Sequence, residues 1–431
     1  MQPTLPRDHW NKDSIDTAPH PSTPEPAKLV LITVSGPDAP GITSALTKIL
    51  GEADVAIVDI GQAVIHGLLS LSILFEMSGG NSTASPTTTI KDLLFKATEL
   101  GMRLEFRVID GEAQGAARDR RTIAKKYRYA VTLIAERVSA LALHEVTEAL
   151  ARHRVNIDVI ERLSEDEFSC VELIVSSPLE IDRTALKKAL LGIAKSKGVD
   201  IALQAEGLYR RAKRMVVLDM DSTLIQSEVI DEFARELGVY DAVAAVTEDA
   251  MRGKLDFDES LRLRCAKLRG LTAEQIDRVF NRIELTPGAS DLIRVLKQLG
   301  YKTALISGGF TVIAERFRAR LGIDFVYANV LEMEKGVATG RVLPPIVNAQ
   351  RKADLLDLIA QQERIHLDQV IAVGDGANDL LMLERAGLGI AFNAKPVVRE
   401  QADLALSQKS LRSILYLLGI SGRDLAEVLK G

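Results

Sequence analysis

Two aspartates separated by one residue directly follow a short apolar run. The segment VVLDMDSTL places Asp219 and Asp221 after three aliphatic residues. If the apolar run is a strand, both carboxylates lie in the loop that leaves it and can reach one small site. Phosphoryl transfer needs a nucleophile and a group that moves protons. We therefore expect Asp219 to attack phosphorus and Asp221 to act as general acid and base. On this segment alone, an acidic turn or a helix cap would look the same.

A second acidic loop occurs further along the chain, in the segment GDGANDLLML. The run 370–373 reads as a buried strand, and Asp375, Asn378 and Asp379 follow it at once. The two glycines of this segment permit a tight turn. Carboxylate and amide oxygens in such a loop suit Mg²⁺, which takes one or two carboxylates and retains waters. A plain Gly-Asp turn with an asparagine cap is the alternative interpretation.

Two further positions could complete a phosphate-binding site. Ser307 ends the apolar run TALIS and precedes Gly308, so its hydroxyl and the following backbone N–H groups can hold phosphate oxygens at a helix N-terminus. Lys352, in a polar helical stretch, offers a point charge for the same oxygens. Taken alone, Lys352 would be interpreted as a solvated surface lysine. The order of the four elements favours the phosphate site.

Short apolar runs separated by helical segments predict the elements that position these residues. The runs are Met215–Leu218, Thr303–Ile306, Val370–Val373 and Gly389–Ala391. This alternation predicts an α/β domain over residues 212–431, with a doubly wound parallel sheet that binds ligands at the carboxyl ends of its strands. Residues 229–283 are mostly helical in pattern. We expect them to form a cap inserted over the site.

The N-terminal half contains an internal repeat. Residues 28–110 and 127–205 each show the order βαββαβ, which predicts an α+β sandwich with an antiparallel sheet and both helices on one face. The other face of each sheet should then be covered, either by the second repeat or by dimerisation, so we expect a homodimer. Residues 1–27 are rich in proline and polar residues and predict a disordered tail. Residues 110–126 read as a charged linker.

Composition excludes some function classes. The 431-residue chain has a formal net charge of -5, spread along its length, which disfavours nucleic-acid binding. Its sequence contains neither a signal-like N-terminus nor an apolar run long enough to cross a bilayer, so we expect no membrane association and a cytoplasmic protein. Cys170 and Cys265 lack a metal-type spacing. We interpret both as reduced, inert core thiols.

The segments DMDST, ISGG and GDGAND, with Lys352 before the last of them, match in order the four motifs of the haloacid dehalogenase superfamily. From about Arg214 to the C-terminus the chain resembles the phosphoserine phosphatases of that superfamily. The resemblance implies that Asp219 is the nucleophile and Asp221 the acid and base. It also implies that Mg²⁺ is bound by Asp219, the backbone carbonyl of Asp221 and Asp375. Asp379 would orient a metal-bound water, and the phosphate would be held by Asn378, Ser307, Gly308 and Lys352.

Four residues of the predicted cap resemble the phosphoserine pocket of that family. Glu228 would accept the substrate ammonium, Arg264 would bind the carboxylate, and Met251 and Phe257 would exclude water. The implied reaction is O-phosphoserine plus water giving serine and phosphate, the last step of serine biosynthesis. Alternatively, Arg264 is a surface charge, and Met251 and Phe257 are ordinary core residues of the cap. Phosphothreonine, phosphohomoserine or a phosphoprotein could be substrates instead, or the chain could be an amino-acid sensor with a purely structural C-terminal half.

The N-terminal repeats resemble a pair of ACT domains, regulatory modules that often bind amino acids. In the segment SGPDAPGI, the residues that resemble the ligand loop of that family are Gly36, Asp38, Gly41 and Ile42. A glycine-rich turn at a helix start can hold a carboxylate, so feedback by serine is a hypothesis. A capped turn without ligand is the alternative. The second copy reads AERVSALAL and lacks these glycines, which argues against ligand binding there.

Overall fold

The computed structural model describes residues 28–77, 86–109, 127–164 and 168–430. The predicted tail, residues 1–27, and the predicted linker, residues 110–126, lie outside the described residues. The chain divides into two compact units, residues 1–123 and residues 124–431. Each unit is described by itself.

The first unit is a βαββαβ module, in the predicted order. Its sheet is antiparallel with the strand order β2-β3-β1-β4. The strands are β1 (Lys28–Pro37), β2 (Ala56–Ile65), β3 (Leu68–Met77) and β4 (Arg103–Ile109). Its helices, Ile42–Glu52 and Pro86–Glu99, cover one face. Ile42, Leu46 and Leu50 are buried at a spacing of four residues, which is the apolar stripe of an amphipathic helix.

The sheet face away from these helices carries both polar and apolar side chains, and Leu31 pairs with Leu74 on this face. Thr33 pairs with Ser72 on one side and with Glu105 on the other, and directly opposed side chains share a face. For this repeat, the expectation that the face is covered by the other repeat or by dimerisation stays a prediction. Several exposed apolar side chains lie on the two edge strands, and Ile60 of β2 and Phe106 of β4 are examples.

The second unit begins with the second βαββαβ module. Its antiparallel sheet has the order β6-β7-β5-β8, with strands β5 (Tyr127–Ala135), β6 (Asn156–Arg162), β7 (Ser169–Ser177) and β8 (Asp200–Ala205). The helices Ala140–Arg152 and Arg183–Lys197 cover one face. On the other face, Ile134, Cys170 and Ala202 join the core of the C-terminal domain. For this repeat, the face that we expected to meet the other repeat packs against the C-terminal domain instead.

The C-terminal domain is built on a seven-stranded, mostly parallel sheet with the order β12-β11-β10-β9-β13-β14-β15. Its strands are β9 (Met215–Leu218), β10 (Lys302–Phe310), β11 (Phe325–Glu334), β12 (Val337–Leu343), β13 (Val370–Gly374), β14 (Leu388–Phe392) and β15 (Leu404–Leu406). The central strand β9 pairs in parallel with β10 and β13. The edge strand β12 forms an antiparallel hairpin with β11. In this respect the sheet differs from the parallel sheet that the sequence predicted.

Helices surround this sheet. Five α-helices lie between β9 and β10, and the first four of them fall where the sequence predicted an insertion: Val229–Leu237, Tyr240–Met251, Phe257–Lys267 and Ala273–Arg282. Asp256 and Thr272 start the third and fourth of these through reciprocal capping hydrogen bonds. The remaining α-helices of this part of the chain are Leu208–Arg211, Ala289–Gln298, Thr311–Leu321, Ala349–Gln362, Leu380–Arg385, Pro396–Gln401, Ser413–Leu417 and Gly422–Lys430. Across the described part of the chain, no helix has the length and apolarity needed to cross a membrane.

Candidate active site

The two acidic loops and the serine loop meet because their strands are neighbours. Leu218 of β9 is in register with Leu305 of β10 and with Val373 of β13. Parallel strands in register end at the same edge of the sheet, so the residues that follow them meet there. The Asp219 N–H donates to the carbonyl oxygen of Val373 at 2.9 Å, which ties the acidic loop after β9 to strand β13.

A buried lysine links the two acidic loops. The ammonium of Lys352, on the helix Ala349–Gln362, lies 2.9 Å from Asp219 Oδ1 and 2.7 Å from Asp379 Oδ1, and its side chain is 0% exposed. Burial alone would lower the pKa of Lys352, but the two carboxylates outweigh it and raise the pKa above its ordinary value. Lys352 is therefore a fixed positive charge, in contrast to the surface lysine of the alternative interpretation.

Negative charge exceeds positive charge at this point of the molecule. Asp219, Asp375 and Asp379 have carboxylate oxygens that all lie within 4.8 Å of one another. Burial, together with the charge of Asp379, raises the pKa of Asp219 to about 7 and that of Asp375 to about 7. Lys352 compensates only part of this charge. A site of three carboxylates with all-oxygen donors fits a hard divalent cation.

Asp221 occupies a different environment from Asp219. Its Oδ1 accepts a hydrogen bond from the backbone N–H of Val229 at 3.1 Å. Burial, and then the charges of Glu228 and Asp219, raise the pKa of Asp221 well above its ordinary value. Two carboxyl groups in different environments can carry different protonation states, which a nucleophile and a general acid require.

The serine loop lies at the end of β10, before the following helix begins at Thr311. The Ser307 hydroxyl accepts a hydrogen bond from the Gly309 N–H at 2.9 Å. Gly309 packs against Asp221, since a Cβ at residue 309 would lie 2.7 Å from Asp221 Oδ2. The Gly308 carbonyl accepts from Asn329, a fully buried residue that the sequence analysis missed.

A cavity of about 470 Å³ opens over these loops. The residues predicted from sequence that line it are Asp219, Asp221, Glu228, Met251, Phe257, Arg264, Gly308, Asp375 and Asn378. Ser307, Lys352 and Asp379 are fully buried and do not line the cavity. The predicted site residues of the C-terminal half thus come together in one place, in the cavity wall or directly behind it.

The four residues assigned to a substrate pocket are not equivalent. Arg264 is half-buried, and the structure shows no ion pair for it with any described residue. Burial lowers its pKa, although Glu228 is among the charges that oppose this shift. Phe257 lies against Gly308. Met251 is 71% exposed, so the expectation that it excludes water does not hold in this conformation.

Lys395, which was not predicted from the sequence, lines the same cavity. This residue follows β14, the strand next to β13. The rule that selected the other site residues, a polar side chain just after a buried strand, could have found it.

The loop predicted to bind an effector lies in the first unit. Gly41 has φ 95° at the start of the helix Ile42–Glu52, and Ile42 is buried beneath the loop. The Asp38 N–H donates to the Gly67 carbonyl at 2.8 Å. Gly36 packs against Met102. In the second module, the corresponding helix begins with Ser139, whose side chain accepts from the Ala142 N–H and so occupies one donor of that helix start.

Comparison with known proteins agrees with this geometry. A haloacid dehalogenase-like hydrolase model matches residues 216–384, and ACT-domain models match residues 28–107 and 128–204. The phosphoserine phosphatase of Streptomyces coelicolor is 42% identical over 399 residues, which cover 92% of this chain and 93% of that protein. The chain belongs to the phosphoserine phosphatase family. The family member from Mycobacterium tuberculosis is also 42% identical, over 92% of this chain and 94% of its own.

Solved structures support the same membership. A haloacid dehalogenase family hydrolase from Salmonella enterica serovar Typhi aligns with a TM-score of 0.60 at 30% identity, over 67% of this chain and 98% of that one. A probable phosphoserine phosphatase from Vibrio cholerae aligns with a TM-score of 0.54 at 31% identity, over 69% and 88%. The protein is therefore a phosphatase with two ACT domains and a haloacid dehalogenase-like domain, as the motifs predicted.

Proposed function

We propose that this phosphatase hydrolyses O-phosphoserine to serine and phosphate through a phospho-aspartyl intermediate on Asp219, with Mg²⁺ as cofactor. The observation that carries the choice of substrate is the state of Arg264. Arg264 lines the cavity, is half-buried and has no ion pair among the described residues. Its Nε donates to the Ser260 carbonyl at 3.4 Å, so the terminal NH₂ groups of the guanidinium fork remain for a ligand. An α-carboxylate fits that fork. Glu228, on the same cavity wall, can accept the α-ammonium.

The chemistry follows from the environments of the two aspartates. Asp219 is held by Lys352 and its own loop, facing the cavity, and attacks phosphorus. Asp221, whose pKa is raised, protonates the leaving serine oxygen and later accepts a proton from the attacking water. Mg²⁺ would be held by Asp219, the Asp221 carbonyl and Asp375, with Asp379 behind them, and when bound it supplies positive charge for the phosphate oxygens.

The phosphate oxygens need further donors on the side of the serine loop. Gly308 and Asn378 line the cavity and would supply a backbone N–H and a side-chain amide, and the Ser307 hydroxyl would donate from directly behind the cavity wall. Lys352 contributes its charge from behind Asp219. Because these donors are fixed before substrate arrives, they stabilise charge in the transition state without reorganisation.

The covalent step is tested by Asp219→Asn. The amide is close in size but is a poor nucleophile, so turnover of phosphoserine should fall below detection. Wild-type protein quenched with borohydride during turnover of phosphoserine gives the second arm. Borohydride reduces an acyl phosphate to the alcohol, so mass spectrometry should find homoserine at position 219 in a fraction of the protein. An Asp219 that stays unreduced, with turnover intact, would refute the intermediate.

The substrate is tested by comparing kcat/KM for phosphoserine, phosphothreonine, phosphohomoserine and a phosphopeptide. The pocket predicts the highest value for free phosphoserine, because a peptide has no free ammonium and carboxylate for Glu228 and Arg264. The amino-acid sensor alternative predicts no phosphate release from any of them. One assay with and without EDTA therefore separates the two classes and tests the metal.

Regulation and assembly complete the proposal. Residues 28–110 and 127–205 form the regulatory part and residues 212–431 the catalytic part, with a cap at about 229–283, in a cytoplasmic homodimer. Exposed apolar side chains on both edge strands of the first module, among them Ile57 and Val108, support the dimer. Serine would bind at the loop of Gly36, Asp38, Gly41 and Ile42 as feedback effector.

The effector site can be tested in the full-length protein. Gly41→Ala strains a left-handed residue at the proposed loop, whereas Gly198→Ala strains one at the end of the helix Arg183–Lys197 in the second module, and both positions face open space. Inhibition by serine should weaken in the first variant and persist in the second. Equal inhibition in both variants would contradict the site.

A further inference from the structure

Lys395 is placed at the active site by the backbone. Strand β14 ends at Phe392, and three residues later Lys395 starts the helix Pro396–Gln401. Its N–H donates to the carbonyl oxygen of Asp375 at 3.3 Å, so the loop after β14 is tied to the acidic loop after β13. Its position relative to Asp375 is therefore set by main-chain contacts.

Lys395 is a cation in a cavity wall that carries mostly carboxylates, and it has no role in the proposed reaction so far. Five carboxylates line the cavity, those of Asp219, Asp221, Glu228, Asp231 and Asp375. The cations among the lining residues are Arg264 and Lys395. Lys352 lies behind the wall, where both of its carboxylate partners already hold it. A dianionic phosphate that enters from solvent therefore meets a wall with an excess of negative charge.

The ammonium of Lys395 is available for a ligand. The residue is exposed and forms no ion pair with any residue in the described part of the chain. Because Lys395 and Asp375 both line the cavity and are joined through the main chain, Lys395 lies on the Asp375 side of the cavity.

We propose that Lys395 is a substrate-capture residue, whose ammonium contacts the phosphate group of the incoming ester at the mouth of the cavity. This inference rests on the proposed function. Arg264 and Lys395 then divide the substrate between them, with the carboxylate at the guanidinium and the phosphate at the ammonium. Because the contact is made with the ester as it binds, it lowers KM and contributes little to the barrier of the chemical step.

The test compares Lys395→Met with Arg399→Met. Arg399 lies one turn further along the same helix, is exposed, and does not line the cavity, so its variant removes the same charge outside the site. An exposed hydrogen bond to a charged group corresponds to about a tenfold loss of kcat/KM in Lys395→Met. We expect this loss in KM, with kcat changed less than about twofold. Lys395→Arg should restore most of it, and Arg399→Met should stay near wild type.

Two readouts separate capture from a structural role. With rising ionic strength, kcat/KM of Lys395→Met should fall less steeply, or rise more steeply, than that of wild type, because an attractive charge has been removed. The inhibition constant of inorganic phosphate as a competitive inhibitor should rise about tenfold in the same variant. Thermal melting of both methionine variants shows whether either has lost its fold.

Some outcomes would overturn the proposal. One is a change confined to the Mg²⁺ concentration for half-maximal activity, with the KM for phosphoserine unchanged, since Lys395 would then only neutralise Asp375. Another is an equal loss in Arg399→Met, which would make the effect one of net charge. If wild-type protein with Mg²⁺ does not hydrolyse phosphoserine but binds inorganic phosphate through Lys395, the proposed function fails and the capture residue stands.

Discussion

Replacing Lys352 by methionine should separate the stability of the catalytic domain from its activity. The ammonium is fully buried and lies within 2.9 Å of Asp219 and 2.7 Å of Asp379. Methionine fills most of the same volume but leaves two buried carboxylates without their cation. Removing one partner of a buried ion pair costs about 3–5 kcal/mol, because the remaining charge is left uncompensated.

The expected size of the stability loss is at the lower end of that range. Asp219 already has a pKa of about 7, so in the absence of Lys352 it can take up a proton at little cost. We therefore expect a loss of about 3 kcal/mol in the free energy of unfolding. We expect kcat to fall about 10²- to 10³-fold, because a preorganised charge beside the transferred phosphate is removed.

A second substitution distinguishes the two effects. Asp379→Asn, added to Lys352→Met, removes one of the uncompensated carboxylates while its amide oxygen can still accept from the Gly376 N–H. Urea unfolding followed by circular dichroism should show that the double variant recovers about 1–2 kcal/mol of the loss. Its kcat should stay low. A double variant that is less stable than Lys352→Met, or a kcat within tenfold of wild type in Lys352→Met, would refute the charge-balance reasoning.

Three further predictions concern single residues. Arg264→Lys should raise the KM for phosphoserine about tenfold with a smaller change in kcat, because a point charge replaces a bidentate fork; an unchanged KM in steady-state assays would contradict the carboxylate contact. Gly309→Ala should reduce kcat at least tenfold, because the added Cβ would lie 2.7 Å from Asp221 Oδ2, and normal kcat would show that the loop adjusts freely. Burial lowers the pKa of Lys213 from 10.5 to about 8, so between pH 8 and pH 10.5 the unfolded chain binds the extra proton and stability rises with pH. Lys213→Met should abolish about 3 kcal/mol of that rise. If the urea midpoints of wild type and Lys213→Met change with pH in parallel, the lowered pKa of Lys213 is contradicted.

Much of the catalytic fold could be predicted because its strands are short, apolar and followed at once by polar residues. The runs ending at Leu218 and Val373 are fully buried strands, and a strand buried on both faces has no alternation that could mislead. The chemistry at their ends was therefore visible in the sequence. The hairpin of β11 and β12 was not predicted, since Phe325–Glu334, the strand next to the sheet edge, mixes exposed, half-buried and buried positions without a regular period.

Properties set by distant parts of the chain could not be predicted. The burial of Lys352 depends on partners 133 and 27 positions away, at Asp219 and Asp379. The cover of the second module is supplied by the C-terminal domain, and Asp200 shows how specific that contact is. Its carboxylate accepts hydrogen bonds from the Ser407 N–H at 2.8 Å and from Gln408 Nε2 at 3.1 Å. A sequence pattern records that Asp200 begins a strand, but it does not record what lies against it.

Burial and pairing together explain why three cations near one phosphate position can serve three different purposes. Lys352 is buried and already paired, so it is a permanent part of the charge balance and its loss should affect stability and kcat. Arg264 is half-buried and unpaired among the described residues, so it remains poorly compensated until a carboxylate binds. Lys395 is exposed, and water screens its charge, so it can attract the ester and release phosphate without a large energetic penalty in either state. The same order of burial predicts that substitutions should act on kcat at residue 352, and increasingly on KM alone at residues 264 and 395.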